Sequence, residues 1–209
     1  MTLSLLPPLA DAADFPAPRV PMTPYLEARR LLAPRAAVLP ALAARGGILT
    51  VSGRAALGLI ARQLIRAGDR VLLPAYHCPS LVEPFLAAGA AVDYYHVDAT
   101  LNPKFDDFRQ RLAVGARVVV FVHMFGFRQD TAACEVLARA AGASVVQDCA
   151  HALYALPGIA PTDYGIASLV KFCEVEEGGL LLAPRDLKLT APHAARAMRD
   201  NLSDRKSVV

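Results

Sequence analysis

The stretch "GILTVSGRAALGLIARQLIRAGDRVLLPAY", residues 47–76, decides how the rest of the chain is read. A short apolar run ends at Ser52-Gly53, and apolar side chains then recur at helical spacing as far as Gly68. The segment after Gly68, "DRVLLPAY", is a second apolar strand. Strands that are apolar throughout, joined by a helix, belong to a sheet whose two faces are both covered.

The same texture continues downstream. Helices are expected in "CPSLVEPFLAAG", where Pro79 stands near the start and Pro84 strains the interior, in "NPKFDDFRQRLA" and in "DTAACEVLARAAG". Strands are expected in "AAVDYYHVD", "ARVVVFVHMF", "ASVVQDCA", "IASLVKF" and "GGLLLAP". The fold class is therefore α/β, a three-layer sandwich around a mostly parallel sheet. The proline- and alanine-rich residues 1–47 read as an arm or lead-in, 48–184 as the domain, and 185–209 as a polar, helical tail.

Composition narrows the function. With 55% hydrophobic and 20% charged residues, the chain can build a sizeable core and is neither disordered nor membrane-like. The net charge of +3 is spread thinly, without a basic run, which argues against a nucleic-acid partner. No apolar stretch is long enough to span a bilayer, and "MTLSLLPPLADAADF" lacks a basic leader region, so neither a membrane nor a secretory route is expected. Cys78, Cys134, Cys149 and Cys173 form no C-x-x-C pair and read as reduced thiols of a cytoplasmic protein; with His77 and His151 they match no zinc spacing, so no metal is expected.

In a parallel sheet, ligands bind beyond the carboxyl ends of the strands. The polar residues at that rim are Ser52-Gly53, Tyr76-His77, His123, Asp148 through His151, and Lys171. Ser52-Gly53 before a helix opening on Arg54-Ala55 offers backbone N–H groups and a positive dipole end, suited to a phosphate; it is equally an ordinary turn and N-cap. Asp148, at the end of "SVVQD", can cap a helix or hold a positive charge. Lys171 ends the apolar run "ASLVK" in the stretch "ASLVKFCEVEEGGLLLAP", residues 167–184. It either reaches for water or is a working amine, since lysines at the rim of a core can become nucleophiles for carbonyls. His123, Phe125 and Arg128 either face substrate or are plain loop residues.

A phosphate cradle, an acid and a rim lysine meet the needs of pyridoxal phosphate: phosphate on the helix start, acid on the pyridine nitrogen, lysine on the aldehyde. The motifs that would mark a dinucleotide oxidoreductase or an α/β-hydrolase, G-x-G-x-x-G and G-x-S-x-G, are absent.

From about residue 50 to 184 the chain resembles the DegT/DnrJ/StrS sugar aminotransferases, whose large domain is of the aspartate-aminotransferase type (fold type I). The resemblance lies in "SGRAALGLIARQL", "AGDRVLLPAYHCPSLVEPFLAAGAAVDYYHVD", "VVVFVHMFG", "VVQDCAHALYA" and "SLVKFCEVEEGG". Its most specific parts are Lys171 ahead of Glu177-Gly178-Gly179 and the Asp-x-x-His of Asp148 and His151.

The resemblance implies pyridoxal 5'-phosphate as cofactor and Lys171 as both the Schiff-base lysine and the base for proton transfer. It implies that Asp148 pairs with the pyridine nitrogen and that His151 orients the ring. The phosphate would rest on Ser52, Gly53, Arg54, Ala55 and Ser168. Cys78 stands where the family has a stacking aromatic, with Tyr76 or His77 as substitutes. It further implies a homodimer and the transfer of an amino group, from glutamate, to a keto group of a nucleotide-linked sugar. The residues after Pro184 are too few for the family's second, smaller domain. A truncated remnant that serves as a binding or dimerisation module is therefore the alternative.

Overall fold

A computed structural model describes residues 47–173 and 175–184 of the chain. The expected lead-in, except Gly47, and the expected tail lie outside the described residues. In chain order the elements are β1 (Ile48–Thr50), α1 (Gly53–Leu64), β2 (Arg70–Pro74), α2 (Pro79–Ala87) and β3 (Ala91–Tyr95). They continue with α3 (Phe105–Ala113), β4 (Val118–Val122), α4 (Ala132–Ala140), β5 (Ser144–Asp148), β6 (Tyr164–Ser168) and β7 (Gly179–Leu182). Short 3-10 helices cover Leu153–Gly158 and Leu169–Lys171.

The strands form one sheet in the order β1-β7-β6-β5-β4-β2-β3. β2 to β6 run parallel, whereas β7 is antiparallel to both β6 and β1. The sheet is thus mostly parallel, as the unbroken apolar runs require. Between β2 and β4 the chain reverses its direction of growth across the sheet, the kind of position where open α/β sheets hold ligands.

Side chains alternate across the sheet with the period of two that a strand imposes. Val71, Leu73, Val118, Val120, Val146, Ile166 and Leu181 pack with α1 and α2 on one face. Leu72, Val119, Phe121 and Val145 pack with α3 and α4 on the other, around the mutually contacting rings of Tyr95, Phe108 and Phe121. The Tyr95 hydroxyl, fully buried, donates to the Val120 carbonyl at 2.9 Å, so its polar tip is satisfied inside the core. Leu180, Leu182 and Ala167 meet Leu153, Leu156 and Ile159 beneath the first 3-10 helix. A side chain at Gly165 would sit 2.2 Å from Ile159 Cδ1, and the glycine allows that close packing.

One detail differs from the sequence reading and one agrees with it. The strand expected to run up to Lys171 ends at Ser168, and the lysine rides on a 3-10 turn beyond it. Pro84 lies inside α2, as expected, where its missing N–H leaves the half-buried Ser80 carbonyl without a helical donor.

Candidate functional site

The turn between β1 and α1 is built from its own sequence. Ser52 is the N-cap of α1 in extended conformation, and its hydroxyl accepts the Ala55 N–H at 3.1 Å. Its carbonyl accepts the Ala56 N–H, and the Thr50 hydroxyl donates to that same carbonyl at 2.8 Å. The cap leaves the start of a twelve-residue helix pointing its first amides at the carboxyl rim. The Ala55 N–H is held by the Ser52 hydroxyl, so an anion at this helix start would share or displace that bond. Arg54 extends toward α2 and pairs with Glu83 at 3.4 Å. Ser52→Ala is expected to lower stability by about 1 kcal/mol, the usual worth of such a cap; urea denaturation checks it.

β6 and β7 bring further residues to the same turn. A Cβ placed on Gly53 would lie 3.6 Å from Ser168 Cβ, so Ser168 sits against the start of α1. The Gly178 N–H donates to the Val51 carbonyl at 2.9 Å, and the Gly178 carbonyl accepts the Leu169 N–H at 2.9 Å. The chain on both sides of Lys171 is therefore clasped to the β1–α1 turn. At Gly179 a Cβ would fall 2.2 Å from the Ser52 carbonyl carbon and 2.6 Å from the Gly53 nitrogen. The spacing from Lys171 to the paired glycines thus has a physical reason: only a residue without a side chain lets β7 begin where it does.

Asp148 ends β5 on the α1 side of the sheet and is 7% exposed. One carboxylate oxygen accepts the Ala150 N–H at 2.8 Å; among the described residues no donor reaches the other. Burial pushes its pKa up to about 6, against the opposing pull of that N–H and of the Lys171 charge. His151, half-buried, is held below its usual value by burial first and by Lys171 second. The Cys78 thiol is lowered, mainly by the Ser80 hydroxyl at 3.1 Å and the Ser80 amide, and also by Lys171 and Arg54. Lys171 itself is exposed, and among the described residues it makes no hydrogen bond or ion pair. The Lys171 charge is thus a lesser influence on Asp148, His151 and Cys78 alike.

The aromatic residues divide. His77 stacks in parallel on Tyr94 at 5.2 Å, with Nδ1 2.7 Å from the Pro74 carbonyl, and so is engaged with the edge strand. Tyr76, 52% exposed, lines a small cleft with Pro74, Tyr95, Val122 and Met124 at the reversal between β2 and β4. Cys78 is exposed at the N-cap of α2 and offers no ring.

His123 is not at the rim. It is fully buried on the α4 side, where Nδ1 accepts the Gln129 N–H at 3.1 Å and Nε2 lies 3.0 Å from Gln147 Oε1. A backbone donor on Nδ1 leaves the proton on Nε2, and burial keeps the ring neutral. Gln147 reaches Asp163, which accepts from Arg139 Nε at 3.0 Å and Nη2 at 2.6 Å; Arg139 also donates to Glu135 at 2.8 Å. Arg128 donates to the Gly158 carbonyl at 3.0 Å. Among the described residues no group of three His, Cys, Asp or Glu side chains suits a metal ion, and no helix is long and apolar enough to cross a membrane.

Comparison with known proteins adds an independent line. The model of the DegT/DnrJ/EryC1/StrS aminotransferase family matches residues 40–157. An aminotransferase, TlmJ, from Streptoalloteichus hindustanus superposes with a TM-score of 0.63 at 26% identity, covering 85% of this chain and 50% of that one. A sugar aminotransferase from Micromonospora echinospora gives 0.60 at 20%, covering 85% and 56%. A 3-amino-5-hydroxybenzoic acid synthase gives 0.59 at 20%, covering 78% and 46%. The chain spans about half the length of these solved structures, and the matches at 20% speak for the fold alone. Comparison with curated protein sequences gives no match. The family match ends before Ser168, Lys171 and Gly179, so their assignment rests on geometry and motif.

Proposed function

The chain belongs to the DegT/DnrJ/EryC1/StrS aminotransferase family, and from that premise we propose that residues 48–184 are the pyridoxal-phosphate-binding domain of a sugar aminotransferase. The observation that carries the reading is Asp148: a buried residue whose second carboxylate oxygen meets no donor among the described residues, at the same rim as Lys171 and the start of α1. Such a group calls for a cationic N–H, which the cofactor's pyridine nitrogen supplies. The start of α1 beside it, against which Gly179 lets β7 pack, suits the cofactor's phosphate.

When bound, the cofactor acts as the electron sink that lets an amino group leave one carbon and join another. The chain's own residues divide the remaining work. Lys171 would hold the cofactor's aldehyde through its amine and, as a base, would take the proton from the carbon that bears the amino group and return it on the cofactor side. Asp148 keeps the ring nitrogen protonated. Ser52, Gly53, Arg54, Ala55 and Ser168 hold the phosphate, with backbone N–H groups as the main donors. His151 orients the ring, and Tyr76 and Cys78 border its open side. Glutamate as amino donor and a nucleotide-linked keto sugar as acceptor complete the proposal. So does a second copy of the chain, to which the exposed rings of Phe127 and Tyr154 offer apolar surface. Four unpaired cysteines support a cytoplasmic location.

The test is chemical. Purified chain mixed with pyridoxal phosphate is expected to develop a visible band; borohydride then fixes the label, and peptide mapping finds it on Lys171. The Lys171→Ala chain loses both band and label. Label scattered over surface lysines would sink the assignment and leave a fold kept for binding or dimerisation.

A further inference from the structure

Residues Met124 to Phe127 form a tight turn closed by the Phe127 N–H on the Met124 carbonyl at 2.9 Å. Both central residues have left-handed backbones, Phe125 at φ +55° and Gly126 at φ +88°. That pattern belongs to turns whose first central residue is normally Asn, Asp or Gly, because a Cβ is crowded there. A phenylalanine in this place is both strained and 62% exposed. The core therefore does not explain it.

Its ring has a different contact. Phe125 meets the His151 imidazole edge to face, with centroids 6.1 Å apart and planes at 89°. The turn is fixed to the histidine's own segment: the Gly126 N–H donates to the His151 carbonyl at 2.7 Å, and the His123 N–H to the Asp148 carbonyl at 2.9 Å. Among the described residues the other left-handed non-glycine, Leu101, sits in a loop already closed by hydrogen bonds to the Asp98 carboxylate and carbonyl. The loop around Phe125 is also closed by side chains, with the Gln129 N–H on His123 Nδ1 and Gln129 Nε2 on the Phe127 carbonyl, but among the described residues none of these hydrogen bonds falls on Phe125 itself.

We propose that Phe125 is a positioning residue: the turn is held in a strained form so that the phenyl ring sets the orientation of the His151 imidazole and shields it from water. The proposal rests on the reading of His151 as a cofactor-facing residue, but the contact it invokes belongs to the chain alone. The charged groups near the contact are Lys171, Asp148 and Arg128, and the substitutions below leave all three in place.

The experiment compares the full chain with Phe125→Asn, Phe125→Leu and Phe125→Tyr. Histidine titrations are followed by NMR without cofactor, with His151→Gln identifying the signal. Asn relieves the turn, so the urea midpoint is expected to match or exceed that of the unaltered chain. The His151 titration, held low mainly by burial, is expected to rise toward its ordinary value in the Asn and Leu chains and to stay low in the Tyr chain. Pyridoxal phosphate affinity should fall roughly three- to tenfold in Asn and Leu, the usual worth of an edge-to-face pair, with Tyr unchanged. A His151 titration identical in all four chains overturns the proposal, whatever happens to stability. A shifted titration with no cofactor binding by any chain, the unaltered one included, supports the contact and removes only the cofactor reading.

Discussion

Replacing Asp148 by Asn is expected to stabilise the cofactor-free chain while weakening its hold on pyridoxal phosphate. The carboxylate is buried, and burial raises its pKa from an ordinary 3.8 to about 6. A carboxyl whose folded value is raised favours folding fully below its unfolded value, and that contribution is lost as pH climbs through the folded one. Between pH 4 and pH 8 the ionised Asp148 should therefore withdraw up to about 3 kcal/mol from the unaltered chain. The Asn chain keeps that stability, since its amide oxygen can still accept the Ala150 N–H.

Other carboxylates shift the opposite way. Asp93 and Asp107 lie below their ordinary value despite burial, through hydrogen bonds and cationic neighbours, and the exposed Asp98 does so mainly through the Thr100 hydroxyl. For that reason the informative quantity is the difference between the two chains, read by urea unfolding at pH 5 and pH 8. It should widen with pH. Cofactor affinity should move against it, falling on the order of tenfold or more, because a hydrogen bond to a charged group is lost. Stability withheld until a cationic ligand arrives is what a binding site predicts and a structural carboxylate does not. Equal unfolding midpoints at both pH values would mean that water solvates Asp148 and that no such penalty exists.

The sequence was legible where local physics decides. Apolar runs such as "RVLLP" and "VVVFV" are strands because both faces of the sheet are covered, and Gly53–Leu64 is a helix because Ser52 caps it and its apolar face repeats. The mostly parallel sheet follows from those runs; the place of β7 between β1 and β6 does not, since strand order is set by packing at a distance. His123 shows the limit at the site. It follows a strand just as Asp148 ends one, and only the phase of the alternation separates them: Asp148 falls on the α1 side, His123 on the α4 side. The sequence marks Phe125 only as a residue past a strand and gives no sign of its backbone, because a left-handed phenylalanine is paid for by its surroundings and not by its own preference. The paired glycines were visible as a motif, yet their cause is a backbone contact more than a hundred residues away in the chain.

That contact yields the sharpest structural prediction. Gly179→Ala would bring a methyl group to 2.2 Å from the Ser52 carbonyl carbon and 2.3 Å from its oxygen. These are backbone atoms, so no rotamer change relieves the overlap, and either β7 or the β1–α1 turn must shift. Gly179 pairs with Thr50 on one side and Ser168 on the other, so any shift carries both margins of the candidate cradle with it. A loss of about 3 kcal/mol or more is expected in urea denaturation, at the upper end for overpacking. Gly142→Ala is the control: its φ of +77° is unfavourable for alanine, but nothing lies within 4 Å of the added methyl. It should lose only about 1 kcal/mol from backbone strain. If both chains fold, only Gly179→Ala should fail to capture pyridoxal phosphate, although Lys171 and Asp148 are intact in each. Capture by Gly179→Ala at the unaltered affinity would mean that the turn at Ser52 does not hold the phosphate, and the anion site would have to be sought elsewhere on the rim.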